Sequence, residues 1–312
     1  VTARTDKTVQ QAAGPAAGVS KDGARPVKIR RRASDGGRRR PLPAALSLHA
    51  LALILVALVL VPLLFAIIGG FKDTTQLSDN AFGLPDPWRP ENYTDVLTAG
   101  DFWRQLFNST LVALGTTVIV VIAGAMVAFV MARFSFRGRE GFFTLFTVGL
   151  MFPPAVAILP LFVLLREMSL LDNPFGVILP QAAFGLPITI IILRGFFREV
   201  PHEVEEAAIL DGCSPAGFFW RILMPMSRPA LATVAVLSLV VSWNNYFLPL
   251  VVFTDPDWWT LPLGVQQFQG QYASDTAKVL AYLVLAMLPA LGFFAIAERH
   301  LASGLTAGAT KG

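Results

Sequence analysis

From Leu46 to Ile68 the chain runs without one Asp, Glu, Lys or Arg. A helix of that length covers the roughly 30 Å of a bilayer's hydrocarbon. It also pairs its backbone amides within its own segment, as hydrocarbon demands. Five further apolar stretches follow, at about 111–131, 142–165, 175–193, 231–253 and 279–297. Only 15% of the 312 residues are charged and 54% are hydrophobic, where a soluble domain carries about 25% charge. The expectation is an all-α membrane protein with six transmembrane helices, its spanning domain covering residues 46–300.

Charge gives the orientation. Residues 1–45 hold Arg30-Arg31-Arg32, Arg38-Arg39-Arg40 and most of the net charge of +4. Such a segment cannot bury enough apolar surface to fold. Directly ahead of an apolar span, it reads as a disordered basic tail drawn to anionic lipid, with no nucleic acid needed as partner. It lacks the short apolar core and small-residue cleavage site of a secretory signal. Arg133, Arg137 and Arg139, then Arg194 and Arg198, Arg221 and Arg228, and Arg299 all fall on the tail's side when the spans alternate. Residues 71–105, 166–174 and Asp255-Pro256-Asp257-Trp258-Trp259 fall on the other side, with few basic residues. Both ends, including a tail at 301–312, are therefore expected in the cytoplasm, and the protein in a plasma membrane.

Two spans carry internal punctuation. Gly115, Gly124 and Ala128 would let the second span pack closely on a neighbour. Pro153, Pro154 and Pro160 free carbonyls that neighbours or water must satisfy, which predicts a kinked third span facing a cavity.

Catalytic chemistry is missing from the pattern. Gly304-Leu305-Thr306-Ala307-Gly308 through Lys311 has neither the spacing of a phosphate loop nor a strand before it. His202-Glu203 lacks the second His of a zinc-protease helix. The one cysteine, Cys213, excludes a disulfide within the chain and a cysteine metal cluster. No charge stands at the centre of a span, where proton-relay carriers usually hold one. The expectation is no catalytic, metal-binding or cofactor-binding residue.

Between the fourth and fifth apolar stretches lies an amphipathic segment from Glu203 to Pro225. Pro201 suits a first helical position, and Glu203, Glu205 and Glu206 complement the helix dipole. Val204, Ala207, Ala208 and Asp211 share one small face that a partner's groove could approach. Gly212 suits a left-handed turn. Ser214 then caps a second short helix with Pro215 at its first position, and Pro225 is expected to stop it. Read alone, the segment could also be a helix lying on the bilayer surface.

The order Glu206-Ala207-Ala208, Gly212, Ile222, Pro225 resembles the EAA loop of ABC-importer permeases, with Met224 where that family usually has Leu. Leu193-Arg194-Gly195-Phe196-Phe197-Arg198-Glu199-Val200-Pro201 leads into it as in the sugar-importer branch. Ser242-Trp243-Asn244-Asn245-Tyr246-Phe247-Leu248-Pro249 resembles that branch's fifth-span motif, with Asn245 where Glu is common. Residues Gly304–Gly312 look like the C-terminal tail of its MalG-like subunits. The likeness covers roughly residues 45–312.

The resemblance implies a type I importer permease whose coupling loop, about 199–228, docks on a cytoplasmic ATPase through Glu206, Ala207, Ala208, Gly212, Ile222 and Pro225. It implies a MalF-like second permease, two ATPase subunits that bind the ATP, and an extracytoplasmic solute-binding protein. Trp243, Asn244, Asn245 and Tyr246 are candidates for the sugar path, since amides and aromatic faces are what pyranoses need. Taken as consecutive positions of one helix they would point in four directions. An ion-coupled sugar carrier and a non-transporting scaffold are the alternatives, weakened by the missing intramembrane charges and by the proline kinks.

Overall fold

The computed structural model describes residues 42–268 and 275–309, with side chains at 48–268 and 275–295. The basic tail expected at 1–45 lies almost wholly outside these. Residues 1–54 and 55–312 are separate units, and of the first only the opening of α1 (Leu42–Gly69) is described. Among the described residues every regular element is helical.

After α1 come two short helices, α2 (Thr74–Asp79) and α3 (Glu91–Thr98). Helix α4 (Gly100–Arg133) has 34 residues, about 50 Å at 1.5 Å per residue. It therefore extends beyond the apolar stretch 111–131 at both ends. Asp101 in its first turn and Arg133 in its last complement the helix dipole.

The third apolar stretch is two helices, α5 (Arg139–Gly149) and α6 (Pro154–Glu167), bent by 99°. Pro153 is extended at φ −72° and ψ 120°, because a residue ahead of proline is pushed out of the helical region. The expected kink is thus a break. Helix α7 (Pro174–Glu199) starts with Pro174 at its first position and Asn173 accepting the Phe175 amide.

Helices α4 and α7 form the close-packed centre. A Cβ on Gly124 would stand 2.5 Å from Thr189 Cγ2, and one on Gly115 would stand 2.9 Å from Ile178 Cδ1. Val120, Ala125 and Ala128 are fully buried. The small residues of the second span do bring its backbone against a neighbour, as their size requires.

The amphipathic segment folds as α8 (His202–Leu210), α9 (Pro215–Phe218), a π-helical stretch at Phe219–Leu223 and α10 (Met224–Met226). It bends by 80° into α11 (Arg228–Trp243). The fifth apolar stretch is therefore not one helix to Phe253. It stops at Trp243 and resumes as α12 (Phe247–Val252). Pro249 favours the gap, since in a continuous helix its ring would strike the carbonyl four residues earlier, at Asn245. Helix α13 (Leu261–Gly264) and the long α14 (Thr276–Ala309) are the last described helices, so residues 301–309 continue a helix.

Among the described residues four helices are long and apolar enough to cross a membrane, or up to six if each bent pair, α5 with α6 and α9–α10 with α11, is one span. Three apolar cores stand out among the described residues. One lies beneath α8–α10, around Phe129, Leu193, Phe197, Phe218 and Leu223. A second joins Val112, Leu165, Val177 and Val252. The third gathers Phe102, Trp243, Leu261 and Tyr282.

Candidate functional site

Two places combine exposure with unusual backbone, the α8–α10 segment and a cavity at the break after Trp243. Helix α8 begins at His202 with Pro201 as its extended cap, one residue later than expected. It ends in a Schellman motif. Gly212 is left-handed at φ +79°, its amide donates to Ile209 O at 2.9 Å, and the Cys213 amide donates to Ala208 O at 2.8 Å. Ser214 Oγ accepts the Gly217 amide at 3.1 Å, and Pro215 opens α9.

Pro225 does not stop the second helix, which reaches Met226. The Met224 amide donates five residues back to Phe219 O. A widened turn of this kind leaves room for a proline ring that a regular turn would push against the preceding carbonyls.

The face expected to meet a partner is divided. Ala208 is buried and Val204 packs beside it, both on the core of this chain under α8. That core offers the rings of Phe197 and Phe218, so the smallest residues of α8 cover it. Outward stand Glu206, Ala207, Asp211 and Gly212, with Ile209 58% and Leu210 88% exposed. Pro225 is exposed, while Ile222 is half-buried against the same core. Cys213 is half-buried there too.

Two arginines hold this end together. The Arg133 side chain is only 1% exposed, and its guanidinium donates to Val200 O at 2.7 Å and stands 3.6 Å from Glu205. Arg194, at the end of α7, pairs with Glu140 at 2.6 Å and donates to Met131 O at 3.3 Å. Its guanidinium also lies 3.8 Å from the centre of the Phe143 ring. The head of α5 is thereby tied to α4 and α7, and the end of α4 to α8.

The cavity has a volume of about 580 Å³ and is walled by α4, α6, α7, α11, α12 and the break between the last two. Its lining is mostly apolar, including Pro154, Ile158, Phe184 and Leu237. Asn244, Asn245 and Tyr246 line it, but Trp243 does not. The Trp243 ring is buried edge-on to Phe293, with ring centres 5.4 Å apart. Because α11 ends there, three consecutive residues line one cavity, where side chains on a continuous helix would point in different directions. Asn245 Oδ1 accepts the Leu248 amide at 3.2 Å, Asn244 Nδ2 donates to Val240 O at 2.8 Å, and Tyr246 OH accepts from Gln266 at 2.8 Å. Pro154 and Ile158 bring α6 to the same cavity, as its prolines suggested, while α5 stays outside it.

Sequence reasoning missed Gln181, Thr116, Ser238 and Ser242 on the cavity wall. Ser242 and Thr116 both donate to Gln181 Oε1, which leaves Gln181 Nε2 buried without a protein partner. The Ser238 hydroxyl is in the same position. A signal was available, since an amide in the middle of an apolar stretch is costly unless something bonds it.

At the opposite end of the cavity-forming helices, Asp172 clamps two loops. It accepts the Thr254 amide at 2.7 Å, the Thr254 hydroxyl at 2.6 Å and the Asp255 amide at 2.9 Å. Burial pushes its carboxyl up, but the Asp255 amide, the Thr254 hydroxyl and the Thr254 amide outweigh that and hold it below the ordinary value.

Residues 121–303, which contain most of the cavity wall and all of α8–α10, match the family described as "Binding-protein-dependent transport system inner membrane component". The chain belongs to that family. This inner-membrane component is 36% identical over 283 residues to the diacetylchitobiose uptake system permease protein NgcG of Streptomyces coelicolor, covering 90% of this chain and 92% of that one. It is 33% identical over 261 residues to the trehalose transport system permease protein SugB of Mycobacterium tuberculosis, covering 83% and 95%. A solved bacterial ABC transporter that imports the polysaccharide alginate shares the fold, with a TM-score of 0.72, 23% identity and coverage of 82% and 96%. Membership and the apolar helices make the chain a multi-pass membrane protein.

Proposed function

We propose that this chain is one of two permease subunits of an ATP-driven importer for a di- or oligosaccharide. The observation that carries the reading is the cavity wall at Asn244, Asn245 and Tyr246, which sets amides and an aromatic ring among mostly apolar lining residues. A pyranose offers hydroxyls at its rim and C–H groups on its faces, so a mostly apolar cavity with a few hydrogen-bonding groups suits it. The names of the relatives, which take up diacetylchitobiose and trehalose, support the same class.

In this reading α8–α10 is the coupling segment. Glu206, Ala207, Gly212 and Pro225 stand on its exposed side together with Leu210, while Ala208 and Ile222 support it from within. ATP is bound and hydrolysed by two partner subunits, a MalF-like permease supplies the other half of the path, and a solute-binding protein delivers the sugar. The chain itself needs no cofactor. Docking transmits work only if the ATPase contacts differ between permease states. The chain crosses the bilayer six times, with α5–α6 and α11–α12 each forming one broken span and both termini in the cytoplasm.

The test is uptake of labelled diacetylchitobiose or trehalose into vesicles holding the full assembly. Uptake should require ATP on the coupling-segment side and persist after ionophores collapse proton and sodium gradients. Uptake driven by an ion gradient without the ATPase would overturn the reading. Orientation has its own check: Ser78→Cys should react with an impermeant thiol reagent added outside intact cells, and Ser135→Cys should not, both in a Cys213→Ser background.

A further inference from the structure

We propose that the loop after α2 is a shallow lipid anchor, with Phe82 and Leu84 inserted where the acyl chains meet the headgroups. Both side chains are unusually bare for their size, Phe82 82% and Leu84 75% exposed. The Phe82 ring nevertheless lies 5.6 Å from the ring of Phe65, inside α1. Phe65 is four residues before the helix end at Gly69, about 6 Å along the axis. The loop tip therefore sits beside the apolar span, a turn below its end.

That span, Leu48–Gly69, has none of its apolar window buried within the chain. Phe82 extends the same bare surface sideways.

The backbone of the tip is prepared for such a place. Lys72, 1% exposed, donates from Nζ to Asn80 O at 2.7 Å and Ala81 O at 3.0 Å. The Gly83 amide donates to Asn80 Oδ1 at 2.9 Å. Carbonyls in a water-facing loop can leave their bonding to solvent, but at an apolar boundary they need internal donors. Asp79 and Asp86 on either side of the tip are exposed, and their charges limit insertion to the roughly 5–10 Å usual for interfacial segments. Trp88, 54% exposed and with its ring centre 5.4 Å from that of Phe71, adds an aromatic of the kind that settles at headgroup level. The anchor would fix the end of α1 against the leaflet while other helices move.

The experiment uses the assembled transporter in phosphatidylethanolamine–phosphatidylglycerol vesicles, with Cys213→Ser as background. Nitroxides go on Phe82→Cys, Leu84→Cys, Asp79→Cys and, as a lipid reference, Leu58→Cys. Relaxation by oxygen, which partitions into lipid, is compared with relaxation by a water-soluble nickel chelate. Oxygen should dominate at positions 82 and 84, as at 58, and the order should reverse at 79. Nickel dominating at 82 and 84 would make the tip aqueous and overturn the proposal. Low access to both reagents would also overturn it, because a companion subunit would then be the cover. If the labelled variants do not assemble, Phe82→Trp decides by quenching from lipids brominated near the headgroup, and unchanged emission refutes insertion.

Discussion

Among the interruptions that separate the helices from α7 to α12, the one between α8 and α9 and the one between α11 and α12 are built in opposite ways. Between α8 and α9, Gly212 and Ser214 pair the backbone groups that a helix end leaves open, and Arg133 fastens the segment to α4 through its terminal nitrogens, its Nε staying unbonded. Between α11 and α12 the break falls one turn before Pro249, and buried polar atoms of Gln181 and Ser238 nearby stay unbonded. A fully bonded turn transmits force without yielding. A break that opens on a cavity can present the residues of the broken turn to a solute. In the proposed function the first is the coupling element and the second the place of solute contact.

The comparison breaks most readily at Arg133. Arg133→Gln leaves Glu205 and Val200 O without their buried partner and should cost about 2–3 kcal/mol of stability, read as a lower unfolding midpoint in detergent. An unchanged midpoint would mean that α8 is held by apolar packing alone.

Gly212→Val should act next. A Cβ there meets nothing within 4 Å, so the cost comes only from the left-handed backbone, about 1–2 kcal/mol for an L-residue. The Schellman turn should loosen, and ATP-driven uptake should fall while membrane insertion stays normal. Full uptake would show that the turn need not be stiff.

How much of this was legible beforehand differs between the two breaks. Gly212, Ser214 and Pro215 announce their turn because capping is local chemistry, set within a few residues. The small residues of α4 were readable for a similar reason, since Gly124 permits close approach whatever the neighbour is. Which side of α8 faces outward was not readable. An amphipathic pattern marks a buried face but does not say whether this chain or a partner buries it, and here Val204 and Ala208 turn inward. Gln181 was passed over because Thr116 and Ser242, which bond it, lie 65 and 61 residues away. Arg194, read simply as a basic residue at a span's end, is buried against a Glu140 that is 54 residues distant. Pro249 marks the gap at Asn244–Tyr246 only in hindsight, because Pro180 and Pro187 sit inside an unbroken α7.

The smallest expected effect belongs to the loop clamp. The folded pKa of Asp172 is depressed, so its stabilising contribution is present above the ordinary carboxylate range and is lost as pH falls through the lower folded value. Asp172→Asn should flatten that acid dependence and, at a site open to solvent, cost under about 1 kcal/mol at neutral pH. Parallel acid-unfolding curves for the two proteins would locate the dependence elsewhere.

The division of labour is tested most directly by measuring ATP hydrolysis and sugar uptake in the same reconstituted vesicles for Leu210→Asp and Tyr246→Ala. Leu210 is 88% exposed, so its loss leaves the chain's own packing intact. If it is a docking contact worth about 2 kcal/mol, both hydrolysis and uptake should fall roughly 30-fold at limiting ATPase. Tyr246→Ala should lower uptake while hydrolysis continues. Normal coupling in the Leu210 variant, or a joint loss of both activities in the Tyr246 variant, would contradict the account.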